Sequence, residues 1–83
     1  MYFVYILQSL SQDDRFYLGF TSNLDKRLGQ HNSGQNASTR GTSWRIVFYE
    51  AYLNERAARA RERSLKRSGH GRRILMDRVR ASL

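Results

Sequence analysis

Tyr5, Tyr17, Arg27, His31 and Glu62 are the side chains whose types and spacing could together handle a proton, a phosphate and a hard cation. Leu24, Arg27, Leu28 and His31 follow the i, i+3, i+4, i+7 spacing of one helical face, so two polar residues share a stripe that should meet a sheet. The plain reading has Arg27 snorkelling to solvent and His31 packing at the edge. The sharper reading turns both into a polar pocket, where a guanidinium meets a phosphate. Glu62 is one of two acids among the eight charged residues of positions 55–67. Its ordinary role is an i, i+4 pair with Lys66. A lone carboxylate among Arg59, Arg61, Arg63 and Lys66 could instead hold a hydrated Mg²⁺, which needs only one or two carboxylates. Tyr5 and Tyr17 read as core aromatics whose phenols matter only if they reach the same pocket. Gly19, two positions after Tyr17 in a strand, marks a close approach of another group.

Those residues need a scaffold. Tyr2–Leu7 is continuously apolar and reads as a strand buried on both faces. Ser9–Arg15 is turn-forming, which makes Phe16–Phe20 the antiparallel hairpin partner. Thr21, Ser22 and Asn23 are cap-type residues opening a helix from Leu24 to about His31. Asn32–Ser43 is polar and glycine-bearing, hence a loop, and Trp44–Leu53 has strand composition. Asn54 caps a helix over Glu55–Arg67, Ser68-Gly69 ends it, and a last helix spans Arg72–Ala81. The expected order is β-β-α-β-α-α, an α+β fold with a three-stranded antiparallel sheet flanked by three helices.

Eighty-three residues make a single domain, 1–83. The absence of cysteine excludes disulfides and thiolate metal sites, and His31 and His70 are too few for a multi-histidine zinc site. Oxygen ligands favour Mg²⁺ or Mn²⁺. No apolar run approaches the roughly 20 residues that cross a bilayer, and Met1–Leu10 lacks the basic head of a signal peptide, so a cytoplasmic location is expected. The net charge is +8, with five basic and four acidic residues in 1–53 but ten and three in 54–83. A polyanion suits that basic end, and nucleic acid is the commonest. Anionic lipid is the rival, but the segment lacks the bulky Trp and Phe face of an interfacial helix. Arg59, Arg63, Lys66, Arg72 and Arg73 are the expected backbone contacts.

Tyr5 in Phe3-Val4-Tyr5, then Tyr17-Leu18-Gly19 about a dozen residues on, resembles the paired triplets that name the GIY-YIG nucleases. The resemblance runs on through Thr21-Ser22-Asn23-Leu24, Arg27-Leu28 and His31-Asn32, the strand Trp44–Tyr52, and Arg61-Glu62-Arg63-Ser64-Leu65-Lys66. Ser68-Gly69-His70-Gly71-Arg72 is similar to a turn in small stand-alone bacterial members, and the whole chain resembles the nuclease domain of excision-repair endonucleases. It implies DNA repair chemistry in which Glu62 is the ligand of a single Mg²⁺ or Mn²⁺ and Arg27 contacts the scissile phosphate. Tyr17, Tyr5 and His31 share proton handling, with the identity of the base left open. Phe3 stands where the first triplet has glycine, and Phe20 where some repair-type members carry a basic residue.

The leading expectation is thus a metal-dependent endonuclease acting on DNA, branched or single-stranded forms included, with RNA left open and a protein partner supplying specificity. The second is a nucleic-acid-binding module of the same fold with little chemistry. The third is an interaction domain for an acidic protein, which needs no convergence of Tyr5, Tyr17, Arg27, His31 and Glu62. Convergence on one concave surface separates it from the others.

Overall fold

A strand whose consecutive side chains are apolar has no face to give to water, and Tyr2–Ser9 (β1) is accordingly central. The computed structural model describes all 83 residues. β1 pairs antiparallel with Phe16–Thr21 (β2) on one side and Trp44–Tyr52 (β3) on the other, in the order β2-β1-β3. Helices Leu24–Asn32 (α1), Glu55–Arg67 (α2) and Gly69–Ala81 (α3) complete the β-β-α-β-α-α order. The α+β architecture is the one expected. No helix is long and apolar enough to cross a membrane.

Strand alternation sorts the side chains into two cores. Val4 and Ile6 pack with Ala58, Leu65, Leu75 and Val79 of α2 and α3. Tyr5 and Leu7 turn the other way and pack with Trp44, Tyr17, Leu24 and Leu28 beside α1. Register puts Tyr5 opposite Gly19 and Leu7 opposite Tyr17, so the odd-numbered residues of β1 and β2 share the α1 face. On β3 the alternation breaks. Ile6 pairs with Phe48 but Leu7 with Ile46, leaving Val47 as the extra residue of a bulge. Trp44 and Ile46 therefore join the α1 core while Phe48 and Tyr52 join the α2 core, although all four are even-numbered.

Three differences from expectation exceed a single residue at an element's end. β1 continues to Ser9 because its polar end is buried and satisfied: Arg45 Nε and Nη2 donate to Gln8 Oε1 at 3.0 and 2.6 Å. The loop after α1 holds one 3₁₀ turn, Ala37–Thr39, capped by Asn36. The third concerns α3, which starts at Gly69 rather than Arg72. Ser68 does not end a helix on a left-handed glycine; only Gly34 and Gly41 have positive φ. Instead its N–H donates to Ser64 O at 2.9 Å, closing α2, while its hydroxyl accepts from Gly71 N at 3.1 Å, opening α3. Arg72 Nη1 secures the corner by donating to the Leu65 and Lys66 carbonyls at 3.1 and 3.0 Å.

Candidate active site

Two of the helices, α1 and α2, carry a polar stripe beside the apolar one. On α1 and its cap, Asn23, Lys26, Arg27 and Gln30 follow i, i+3, i+4, i+7; on α2, Arg59, Glu62 and Lys66 follow i, i+3, i+7. Both stripes open into one cleft of about 520 Å³ beside the edge strand β2, with Tyr17 and Phe20 on its floor. Arg27 and Glu62 sit where the polar and apolar stripes of their helices meet. Four cations, Lys26, Arg27, Arg59 and Lys66, face a single carboxylate there.

Arg27 donates from Nη1 to Gln30 Oε1 at 3.1 Å, but its buried Nε has no partner. The rest of the guanidinium lines the cleft, where its terminal N–H groups beyond the one on Gln30 can meet a phosphate oxygen. Glu62 is only 18% exposed, with Lys66 Nζ 3.3 Å from Oε2. The Arg59 guanidinium lies 4.3 Å over the Phe20 ring while Nε donates to Glu55 Oε2 at 2.7 Å. Stacking on Phe20 thus brings a cation to the position where the sequence shows only an aromatic.

Tyr5 and His31 lie behind the cleft rather than in it, each about 1% exposed. The Tyr5 hydroxyl is 2.8 Å from His31 Nε2, and His31 Nδ1 is 2.7 Å from Thr39 Oγ1. Thr39 donates its own hydroxyl proton to Asn36 O at 3.3 Å, which leaves its oxygen to accept from His31 Nδ1–H. His31 Nε2 is then the acceptor and Tyr5 the donor. Burial pushes the Tyr5 phenol up to about 12, offset only in part by Arg27. Burial first and the Arg27 charge second push His31 below its ordinary value. Both groups are therefore neutral at physiological pH. Tyr17 packs on this pair, its ring centroid 4.8 Å from that of His31, and its hydroxyl has no protein partner. The loop is pinned in turn by Trp44 Nε1, which donates to Thr39 O at 2.8 Å, and by Asn32, whose Oδ1 accepts from Trp44 N at 2.7 Å.

Gly19 has the close approach its strand position suggests. A methyl there would overlap Oη and Cζ of Tyr5 and meet Tyr17 Cε2 at 3.0 Å. Since Tyr5 is enclosed and cannot retreat, Gly19→Ala should lower stability by about 1–3 kcal/mol. Thermal unfolding of the purified variant checks this; an unchanged Tm would mean Tyr5 moves freely.

Three of the five expected residues, Tyr17, Arg27 and Glu62, line the cleft, and Tyr5 and His31 back Tyr17. Arg59 and Lys66 also line it. Arg63 and Arg73 are exposed elsewhere, and Arg72 is spent on the α2–α3 corner. Sequence reasoning missed Lys26, Gln30, Thr39 and Glu50. The second helical stripe would have pointed to the first two.

Glu50 acts through α2. Arg61 Nε and Nη2 donate to its two oxygens at 2.9 and 3.0 Å, and Tyr52 donates to Oε1 at 2.7 Å, fixing the helix residue that precedes Glu62. Burial raises the Glu50 carboxyl, but the Arg61 and Tyr52 hydrogen bonds outweigh it and hold the pKa below the ordinary 4.5. A depressed folded value means the stabilisation is complete above about pH 4.5 and is lost as pH falls through the lower folded pKa. The Tm gap between parent and Glu50→Gln should be constant near neutrality and close in that acid window; a gap independent of pH would contradict it.

The GIY-YIG catalytic domain family matches residues 1–72, most of the chain. The chain belongs to this family. Its GIY-YIG relatives include the UPF0213 protein CPE1444 of Clostridium perfringens, 41% identical over 69 residues, covering 81% of this chain and 72% of that protein. The UPF0213 protein HQ_3675A of Haloquadratum walsbyi is 34% identical over 67 residues, 78% of this chain and 73% of its own length. The UPF0213 protein YsiG of Lactococcus lactis is 53% identical over a shorter stretch, 43% of this chain and 33% of its own. No solved structure matches. Membership gives a nuclease-type fold and implies a nucleic-acid substrate.

The cleft fits the divalent ion that GIY-YIG nucleases generally use. No cluster of three or more His, Asp or Glu side chains forms anywhere, so Glu62 is the one carboxylate available in the cleft. One carboxylate can suffice for a hard divalent cation that keeps several waters and takes other ligands from substrate phosphates. Swinging Lys66, half exposed, off Oε2 frees the oxygen at little cost.

Proposed function

We propose that the protein is a metal-dependent endonuclease hydrolysing DNA phosphodiester bonds in this cleft. The observation that carries the reading is the meeting of Tyr17 from β2, Arg27 from α1 and Glu62 from α2 in one cation-rich hollow. Glu62 would hold Mg²⁺ or Mn²⁺, which when bound stabilises charge on the leaving and nonbridging phosphate oxygens. Arg27 grips the scissile phosphate through the guanidinium it presents to the cleft and neutralises charge that develops in the transition state. Tyr17 accepts a hydrogen bond from the attacking water and orients it in line with the leaving 3′-oxygen. Tyr5 and His31, neutral and enclosed, hold the Tyr17 ring from behind. Lys26, Arg59 and Lys66 attract the flanking phosphates. DNA as the polymer, a role in repair and a cytoplasmic location belong to the same proposal; the first two are supported by the resemblance to GIY-YIG nucleases.

The Lys66–Glu62 contact favours a second reading, a binding module that keeps its carboxylate paired. Nicking of supercoiled plasmid, together with a panel of branched, single-stranded and duplex substrates, divides the two. Cleavage should appear with Mg²⁺ or Mn²⁺ and stop with EDTA, while binding persists and weakens steeply with salt. Salt-sensitive binding without cleavage on any substrate would leave only the module.

A further inference from the structure

α1 is nine residues long and covers only part of its face of the sheet. It packs beside Tyr5, Leu7 and Trp44 and leaves Phe3 and Tyr49 uncovered at the other end. Tyr49 lies in register with Tyr5 and so projects from the same face. It is 56% exposed, meets Phe3 edge-on with centroids 5.8 Å apart, and its hydroxyl bonds to nothing in the protein. Phe3, Tyr49, Leu24 and Ile46 enclose a second hollow of about 520 Å³.

This hollow adjoins the catalytic cleft, with Ser22 and Asn23 forming a wall common to both. The two are opposite in chemistry. Four cations line the cleft; none lines the hollow, whose only charge is Asp25. A phosphate is repelled from the second and a neutral aromatic ring is welcome there. A nucleotide strand carries both kinds of group on one backbone, and only an unpaired base has a π-face free to stack.

We propose that the Phe3–Tyr49 hollow is a nucleobase-stacking subsite, which receives an unpaired base of the strand whose phosphates lie in the cationic cleft. The inference rests on the nucleic-acid reading above and extends it from phosphate to base. It makes the substrate a strand with at least one unstacked nucleotide beside the scissile bond.

Binding of single-stranded oligonucleotides in EDTA tests it without cleavage. Tyr49→Ala should weaken affinity about 5- to 150-fold, and Tyr49→Phe should restore it, since the ring does the stacking. The salt slope should stay at the parent value because no phosphate contact is lost. An oligonucleotide with one abasic position should lose the same factor against the parent and nothing further against Tyr49→Ala. A 2-aminopurine at that position should be quenched by the parent alone. Tyr49 is exposed, so the variant keeps its fold, which circular dichroism verifies. Unchanged affinity and quenching in Tyr49→Ala, with the parent binding salt-dependently, would overturn the subsite and leave the nucleic-acid reading standing. A parent that binds no oligonucleotide would overturn both. A dimer dissociated by Tyr49→Ala, with oligonucleotide affinity unaltered, would assign the hollow to a second copy and overturn the proposal.

Discussion

Glu62→Gln should leave the protein folded, still able to bind nucleic acid, and at least about 100-fold slower in cleavage. The substitution keeps shape and removes one negative charge. What disappears from the native contacts is a pair with Lys66, whose half-exposed ammonium makes it a weak contributor to stability. Glutamine cannot replace the carboxylate toward a hard cation, and the cleft offers no second acid to take over. Affinity for DNA measured without divalent ion should hold or rise, because the cleft has lost its only anion. That divergence, cleavage lost while binding is kept, distinguishes a metal-holding role from a structural one. Nicking at parental rates in the glutamine variant would remove Glu62 from the mechanism.

Arg27→Ala should be as damaging to cleavage, about 100- to 1,000-fold, and should differ from the first variant in binding. Its guanidinium lines the cleft and is bonded there to Gln30 alone, so terminal N–H groups remain for a phosphate. Loss of one phosphate contact should also reduce the magnitude of the salt slope by about 1. Arg27→Lys should not rescue cleavage, since an ammonium lacks the planar fork that holds two oxygens in fixed directions. A further readout lies in His31. The Arg27 charge is the second cause of its lowered pKa, so its ring should titrate closer to the ordinary value in Arg27→Ala while burial keeps it below. A histidine titration identical to the parent's, or cleavage rescued by lysine, would contradict this arrangement.

The two variants probe opposite walls of one cleft, and the fold explains why those walls meet. Neither helix alone makes a site. α1 lies on the odd-numbered face of β1 and β2, α2 on the even-numbered face, and the polar stripes of both project past the edge strand β2. The Tyr5–His31–Thr39 chain stiffens the α1 side, and Glu50 and Arg61 fix the α2 side.

Much of this was written in local pattern. Unbroken apolarity in Tyr2–Leu7 named the central strand, helical spacing put Arg27 on the apolar stripe of its helix and Glu62 at the edge of its own, and Gly19 announced a crowded neighbour. These features depend on residues a few positions apart, where backbone periodicity alone sets direction. What tertiary structure decided involves partners that periodicity does not connect. Val47 bulges and reverses the faces of β3, so that Glu50 looks toward α2. Thr39, in a loop with no repeating geometry, fixes the tautomer of His31 because Trp44 pins its carbonyl. Ser68 serves two helices at once, which composition around Gly69 and Gly71 disguised as a stop. Among the arginines, only packing distinguishes Arg59, stacked on Phe20 in the cleft, from Arg72, turned onto the end of α2. A long flexible cation reaches in many directions, and the surface it finds, rather than its place in the chain, determines what it does.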